Sequence, residues 1–123
     1  TGPILCAGSK PELKNQTAAA AGMLEKAGLH PVIISDHPET PVQYLLLSAA
    51  VAVREGMSRR GALEAVTIRA AQAVGLQERI GSIKPGKDAD IVIFDGDPLL
   101  PMTRAQTVFV NGECVVEKGR KGI

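Results

Sequence analysis

Val32-Ile33-Ile34-Ser35-Asp36-His37-Pro38 passes from an unbroken β-branched run straight into a polar turn. A short apolar run without alternation reads as a strand covered on both faces, the usual state of a strand in a parallel sheet. Upstream, Ile4-Leu5-Cys6-Ala7 is a second run of this kind, stopped by Gly8-Ser9. Good helix formers fill residues 15–27 between them, with Met23, Leu24 and Ala27 sharing a face, and Gly28 stands where a left-handed C-terminal residue is wanted. Strand, helix, strand in this order implies parallel strands joined by a right-handed crossover.

Downstream, Thr40-Pro41-Val42-Gln43 reads as a helix start. Thr40 is placed to cap, Pro41 suits the first helical position, and Gln43 stands at the reciprocal capping-box position. This helix should reach about Glu55 and end at Gly56. Ser58 then caps another helix, whose apolar stripe of Leu63, Val66, Ala70 and Val74 runs to Gly75. Beyond Gly75 the pattern changes. Gly81, Pro85 and Gly86 punctuate short segments, and Ile91-Val92-Ile93-Phe94 reads as a strand. Thr107-Val108-Phe109-Val110 and Glu113-Cys114-Val115-Val116 flank Asn111-Gly112, a two-residue hairpin signal. The shift near residues 76–80 divides the chain into an α/β part, residues 1–79, and a mostly β part, residues 80–123.

A chain of 123 residues can bury one core, but a complete eight-fold β/α barrel needs about 200 or more. Aromatic residues make up only 2% of it, so that core must be aliphatic. The net charge of +1 gives no footprint for nucleic acid, and Arg59-Arg60 and the basic residues of 118–121 are too few for an anionic membrane surface. No apolar run approaches the roughly 18 residues of a membrane span; residues 42–53 are interrupted by Gln43 and Ser48. Cys6 and Cys114 lie far apart in apolar, strand-like settings, which reads as buried thiols in a reducing compartment, the cytoplasm. A first residue of Thr1 rather than Met implies a processed, cloned or truncated product.

Asp36 is the leading candidate for chemistry. It follows Ile34-Ser35 at the C-terminal end of a parallel strand, where ligands and catalytic groups gather in α/β folds. A carboxylate there can hold a divalent metal and accept a proton from attacking water. Asp-His-Pro is equally good turn chemistry, and pattern alone leaves the two readings level. His37 is adjacent, but neighbouring strand residues point to opposite faces, so it fits substrate contact rather than the same ion. His30, at the other end of the layer, reads as structural. Lys10-Pro11-Glu12 shares the rim with Asp36 but reads as an exposed loop, and Asp88 and Asp90 read as structural hydrogen-bonding groups. The chain contains no phosphate loop, dinucleotide fingerprint, Gly-x-Ser-x-Gly elbow, His-x-His, Cys-x-x-Cys or His-Glu-x-x-His.

Five pieces taken in order resemble the amidohydrolase family, especially its imidazolonepropionase-like, cyclic-amidohydrolase branch. They are Ser35-Asp36-His37-Pro38, Ala52-Val53-Arg54-Glu55-Gly56, Ala65-Val66-Thr67, the run Gly81-Ser82-Ile83-Lys84-Pro85-Gly86-Lys87-Asp88-Ala89-Asp90-Ile91-Val92-Ile93, and Val110-Asn111-Gly112. The resemblance implies the last β/α units of a TIM-like barrel followed by strands of a small β-sandwich, a partial amidohydrolase fold. It also implies a metal-dependent hydrolase that cleaves C–N bonds of a cyclic amide, amidine or similar small substrate with metal-activated water. Asp36 falls on the family's metal-binding, proton-shuttling aspartate, with zinc the expected ion, one or two per site. The family's His-x-His and middle-strand ligands are missing here, so the isolated chain is expected to be inactive, completed by the remainder of the barrel or by self-association. Ala70 stands where many members carry proline, which implies a helix running unbroken past Thr67. The alternative is a non-catalytic fragment or subunit acting only as an assembly module.

Overall fold

The computed structural model describes residues 1–5 and 11–119. Four short helices form one layer: α1 (Ala20–Lys26), α2 (Leu45–Arg54), α3 (Arg59–Ala65) and α4 (Ile68–Ala73). A three-stranded antiparallel sheet follows: β1 (Ile91–Phe94), β2 (Ala105–Val110) and β3 (Glu113–Glu117), in that spatial order.

The two strands expected in the first half are only partly visible. Of Ile4-Leu5-Cys6-Ala7, Cys6 and Ala7 lie outside the described residues. Residues 32–35 are extended but join no sheet among the described residues. They nevertheless carry a parallel pairing at one point, to Thr1, which precedes the expected strand. The Thr1 amine donates to the Val32 carbonyl, and Ile34 N–H donates back to Thr1 O at 3.1 Å. One residue bonded to two residues that flank its partner is the parallel pattern. Two-sided cover, however, is not found among the described residues. Ile33 and Ser35 are buried against the helices, whereas Ile34 is 48% exposed on the opposite face.

Helix boundaries follow local chemistry where that chemistry acts alone. Ser58 caps α3, its hydroxyl accepting from Gly61 N–H at 2.9 Å. Gly28, at φ +79°, ends α1: Gly28 N–H reaches Glu25 O at 2.9 Å and Leu29 N–H reaches Leu24 O at 3.0 Å, the Schellman pair. The starts are later than expected. The front of the first helix is taken up by turns, with the Gln16 amide donating to Pro3 O at 2.7 Å. Pro41 keeps an extended ψ of 136°, so a 3-10 turn over Val42–Tyr44 precedes α2, and neither that turn nor α2 has a side-chain cap bond.

The long helix expected after Ser58 is broken in two at Val66 and Thr67, which corrects the reading of Ala70 as a sign of continuity. Thr67 adopts φ −129°, ψ −98°, and its hydroxyl donates to Leu63 O at 2.7 Å. A Thr hydroxyl bonded to the carbonyl four residues back bends or interrupts a helix. The break receives the following loop: a Cβ on Gly81 would lie 2.8 Å from Ala71 Cβ and 3.0 Å from Ile68 Cα.

The core is aliphatic and small. Ala21, Ala49, Ala52, Ala62 and Ala65 are fully enclosed, with Ile33, Met57 and Leu99 beside them. Leu99 comes from the segment after β1, where Asp97 pairs with Arg59 of α3 at 2.7 Å, so the second half of the chain is anchored to the helices. At the hairpin, Asn111 (φ 51°) and Gly112 (φ 83°) both take the left-handed conformation of a type I′ turn, as Asn-Gly predicts. Cys114 is exposed on β3 rather than buried, because no element covers that strand among the described residues. Cys6 lies outside them. No helix among the described residues is long and apolar enough to cross a membrane.

Gly22 of α1 makes a close approach to the backbone that follows α2. A Cβ there would sit 2.8 Å from both Gly56 C and Met57 N, backbone atoms that cannot swing aside. Alanine normally favours a helix interior over glycine by about 1 kcal/mol. Forcing a methyl into this contact should reverse the sign, with Gly22→Ala destabilising by about 1–3 kcal/mol. Urea unfolding checks this through the midpoint at constant slope; an unchanged or higher midpoint would contradict it.

Candidate functional site

Asp36 ends the extended segment with a positive φ of 55°, a conformation that Asp tolerates better than most side chains. The turn it opens is closed by Glu39 N–H to Asp36 O at 2.8 Å and Thr40 N–H to Ser35 O at 3.2 Å. Side chains alternate along an extended chain. Along the extended residues Ile33 and Ser35 are therefore buried on the helix side and Ile34 is exposed on the other, and the alternation ends at Asp36, whose positive φ starts the turn. Asp36 is exposed, and so is His37 beside it.

The other candidates do not converge on Asp36. Asp88 pairs with Arg79 at 2.6 Å, and Asp90 accepts from Asn111 N–H at 2.8 Å, so both serve the β half as structural groups. His30 is exposed at the far end of the segment, and Glu12 is exposed in a short 3-10 turn, Pro11–Leu13. Lys10 lies outside the described residues. Among the described residues no group of three His, Cys, Asp or Glu side chains is placed to hold a metal ion. Zinc sites take about three protein ligands, so the described residues do not fit a complete metal site, and Asp36 offers one carboxylate toward one.

Behind the segment lies a charged cluster that sequence reasoning missed. Glu25 of α1 accepts from Ser58 N–H at 2.7 Å and from the Ser58 hydroxyl at 3.1 Å. Arg69 of α4 is 9% exposed, and its Nη2 lies 3.0 Å from Glu64 and 3.5 Å from Glu25. Glu64 also pairs with Arg60 at 2.7 Å. The Arg60–Glu64 spacing of four is a visible helix pair. Glu25 and Ser58, by contrast, are 33 residues apart and carry no local signal.

The Ser58 N–H, then the Ser58 hydroxyl and Arg69, hold the Glu25 carboxyl below its ordinary value, against an opposing effect of burial. Arg60, then Arg69, do the same for Glu64. Groups whose folded pKa is depressed bind fewer protons folded than unfolded. Their contribution is present above the unfolded Glu value of about 4.3 and is lost as pH falls through the folded value. Stability should therefore fall on acidification below about pH 4.3, and Glu25→Gln should flatten that fall. Glu64, Asp95 and Asp97, all depressed as well, should keep it from vanishing. Denaturant midpoints measured across acid pH check this; a Glu25→Gln profile parallel to the parent's would contradict it.

Comparison with known proteins gives this geometry a family. The profile of the amidohydrolase family matches residues 2–121. The amidohydrolase tasK of Hapsidospora irregularis is 38% identical over 96 residues, covering 78% of this chain and 10% of that protein. The imidazolonepropionase of Alkaliphilus oremlandii is 31% identical over 128 residues, covering 95% of this chain and 30% of that protein. The crystal structure of an amidohydrolase from Thermotoga maritima MSB8 superposes with a TM-score of 0.92 at 36% identity, over 96% of this chain and 31% of that one. The chain thus spans about a third or less of the length of these relatives. It belongs to the amidohydrolase family.

Proposed function

We propose that the chain is the C-terminal portion of a metal-dependent hydrolase that cleaves C–N bonds of a cyclic amide, amidine or similar small substrate. One observation carries this reading: the exposed Asp36 ends a segment whose one face is buried by helices and whose other face, at Ile34, is open among the described residues. In this reading the first residues and residues 32–35 are the last two strands of a TIM-like barrel, and the open face is part of its interior. The remaining strands and ligands come from the rest of the protein, and in the chain alone the open face favours self-association. The strands of residues 80–119 then belong to a small β-sandwich beside the barrel.

A divalent ion, zinc in this reading and one or two per site, would supply an activated water once the rest of the protein completed the ligand set. Asp36 would give one carboxylate oxygen as ligand. The same carboxylate would take the proton of the attacking water and pass it to the leaving nitrogen, so that the amine departs neutral. A carboxylate suits both roles because it can bind and accept at different lone pairs. In this reading His37, exposed on the same turn, contacts substrate rather than sharing the ion.

Asp36→Asn keeps the size and one oxygen but removes the charge and the proton acceptor. In the full-length protein that contains this chain, its kcat should fall on the order of 10² or more, the scale of general acid–base contributions. Thermal unfolding should change little. Steady-state kinetics with metal analysis measure this, and most of the activity retained at normal metal content would remove Asp36 from the mechanism. The chain of 123 residues by itself should not bind zinc stoichiometrically at micromolar concentration, since about three ligands are needed. Titration against a chromophoric chelator reads this, and tight binding abolished by Asp36→Asn would contradict it.

A further inference from the structure

We infer that Arg69 is a positioning residue for Asp36, acting through helix α3 and the backbone of the segment that Asp36 ends. The inference rests on the reading of Asp36 given above. The segment is fastened to the helical layer by Ile33, whose side chain is 2% exposed and whose N–H donates to the Ala65 carbonyl at 3.3 Å. Ala65 is the last residue of α3, so where α3 ends decides where Ile33, and three residues later Asp36, are held.

Both ends of α3 are gripped by carboxylates that share one guanidinium nitrogen. At its start, Glu25 accepts from the N–H and hydroxyl of Ser58, the residue that caps the helix. At its end, Glu64 precedes Ala65 and takes Arg69 Nη2 at 3.0 Å, while the same nitrogen stands 3.5 Å from Glu25. Arg69 therefore ties α1, α3 and α4 together across the break at Thr67.

Stability alone does not account for this arrangement. Replacing a buried ion pair by apolar groups is often neutral or stabilising. Here the burial is incomplete in its hydrogen bonding as well: Arg69 Nη1 is buried without a hydrogen-bond partner among the described residues, a state native proteins seldom leave unexplained. Gly61, inside α3, also sacrifices helix propensity to the cluster. A Cβ there would fall 1.7 Å from Glu25 Oε1, so the absent side chain is what admits the carboxylate. What the cluster supplies is a fixed geometry for α3.

The test uses the full-length protein and three variants, Arg69→Met, Gly61→Ala and Asp36→Asn. Gly61→Ala evicts the Glu25 carboxylate and crowds the Ser58 hydroxyl while leaving every charge in place, and its gain in helix propensity offsets part of the cost. Three readouts are taken well below the unfolding temperature: amide exchange at Ile33, zinc affinity of the metal-free protein by chelator competition, and kcat with KM. For Arg69→Met and Gly61→Ala the inference expects faster Ile33 exchange, weaker zinc affinity, and kcat lowered about tenfold to a hundredfold with KM little changed, the scale of a small misplacement of a catalytic group. If both keep kcat and zinc affinity within twofold of the parent while Asp36→Asn loses activity, the inference is overturned and the reading of Asp36 stands. A lower unfolding temperature with unchanged kcat assigns Arg69 a structural role only, which also overturns it. If Asp36→Asn keeps its activity, the reading of the site fails and the inference fails with it.

Discussion

Gly22 lies against Gly56 and Met57 with no room for a methyl group, and this contact sets the spacing of the helical layer. A chain nearly without aromatic residues fills its interior with alanines, and alanines enclose space only when backbones come close. Once α1 and α2 meet at that distance, Glu25 reaches the start of α3, and the end of α3 reaches Ile33. The position of the segment ending in Asp36 is thus inherited from a glycine contact on another helix.

The layer covers that segment from one side only. Ile33 and Ser35 pack inward, while Ile34 and the turn residue Asp36 are exposed. An apolar strand left half-covered marks surface that another part of a protein normally occupies. The relatives agree in scale, since each is at least about three times as long as this chain. A single exposed carboxylate at the end of such a strand makes chemical sense as one contributor to a site assembled from several strands. The β half is held to the layer by other means. Lys87 donates to Gln77 O, Ile80 O and the Ser82 hydroxyl, fixing the loop that returns to the broken helix pair.

Much of this was legible locally. The Asn111-Gly112 hairpin, the Ser58 cap and the glycine stop at Gly28 are decided within a few residues, and the structure has them where the pattern places them. The structural roles of Asp88 and Asp90 were legible too, from their place in a turn-rich approach to a strand. What failed depended partly on partners distant in sequence and partly on local choices that the pattern left open. Apolar character alone does not say how many faces of residues 32–35 are covered, because cover depends on what lies opposite. The break at Thr67 needed a hydroxyl to choose the Leu63 carbonyl, and Gly81 to arrive on the break. The Glu25–Ser58–Arg69 cluster joins elements that share no local pattern. For the site, the sequence offered Asp36 and its neighbour His37, and the described residues bring no further metal-binding group together.

The central claim is that Asp36 holds a catalytic metal in the complete protein. The direct measurement is an anomalous difference map at the zinc edge from crystals of the full-length protein grown with zinc. The account predicts a peak about 2.0–2.2 Å from an Asp36 carboxylate oxygen, the ordinary zinc–oxygen distance, on the face that Ile34 leaves open. A fully occupied zinc whose ligands do not include Asp36 would contradict it.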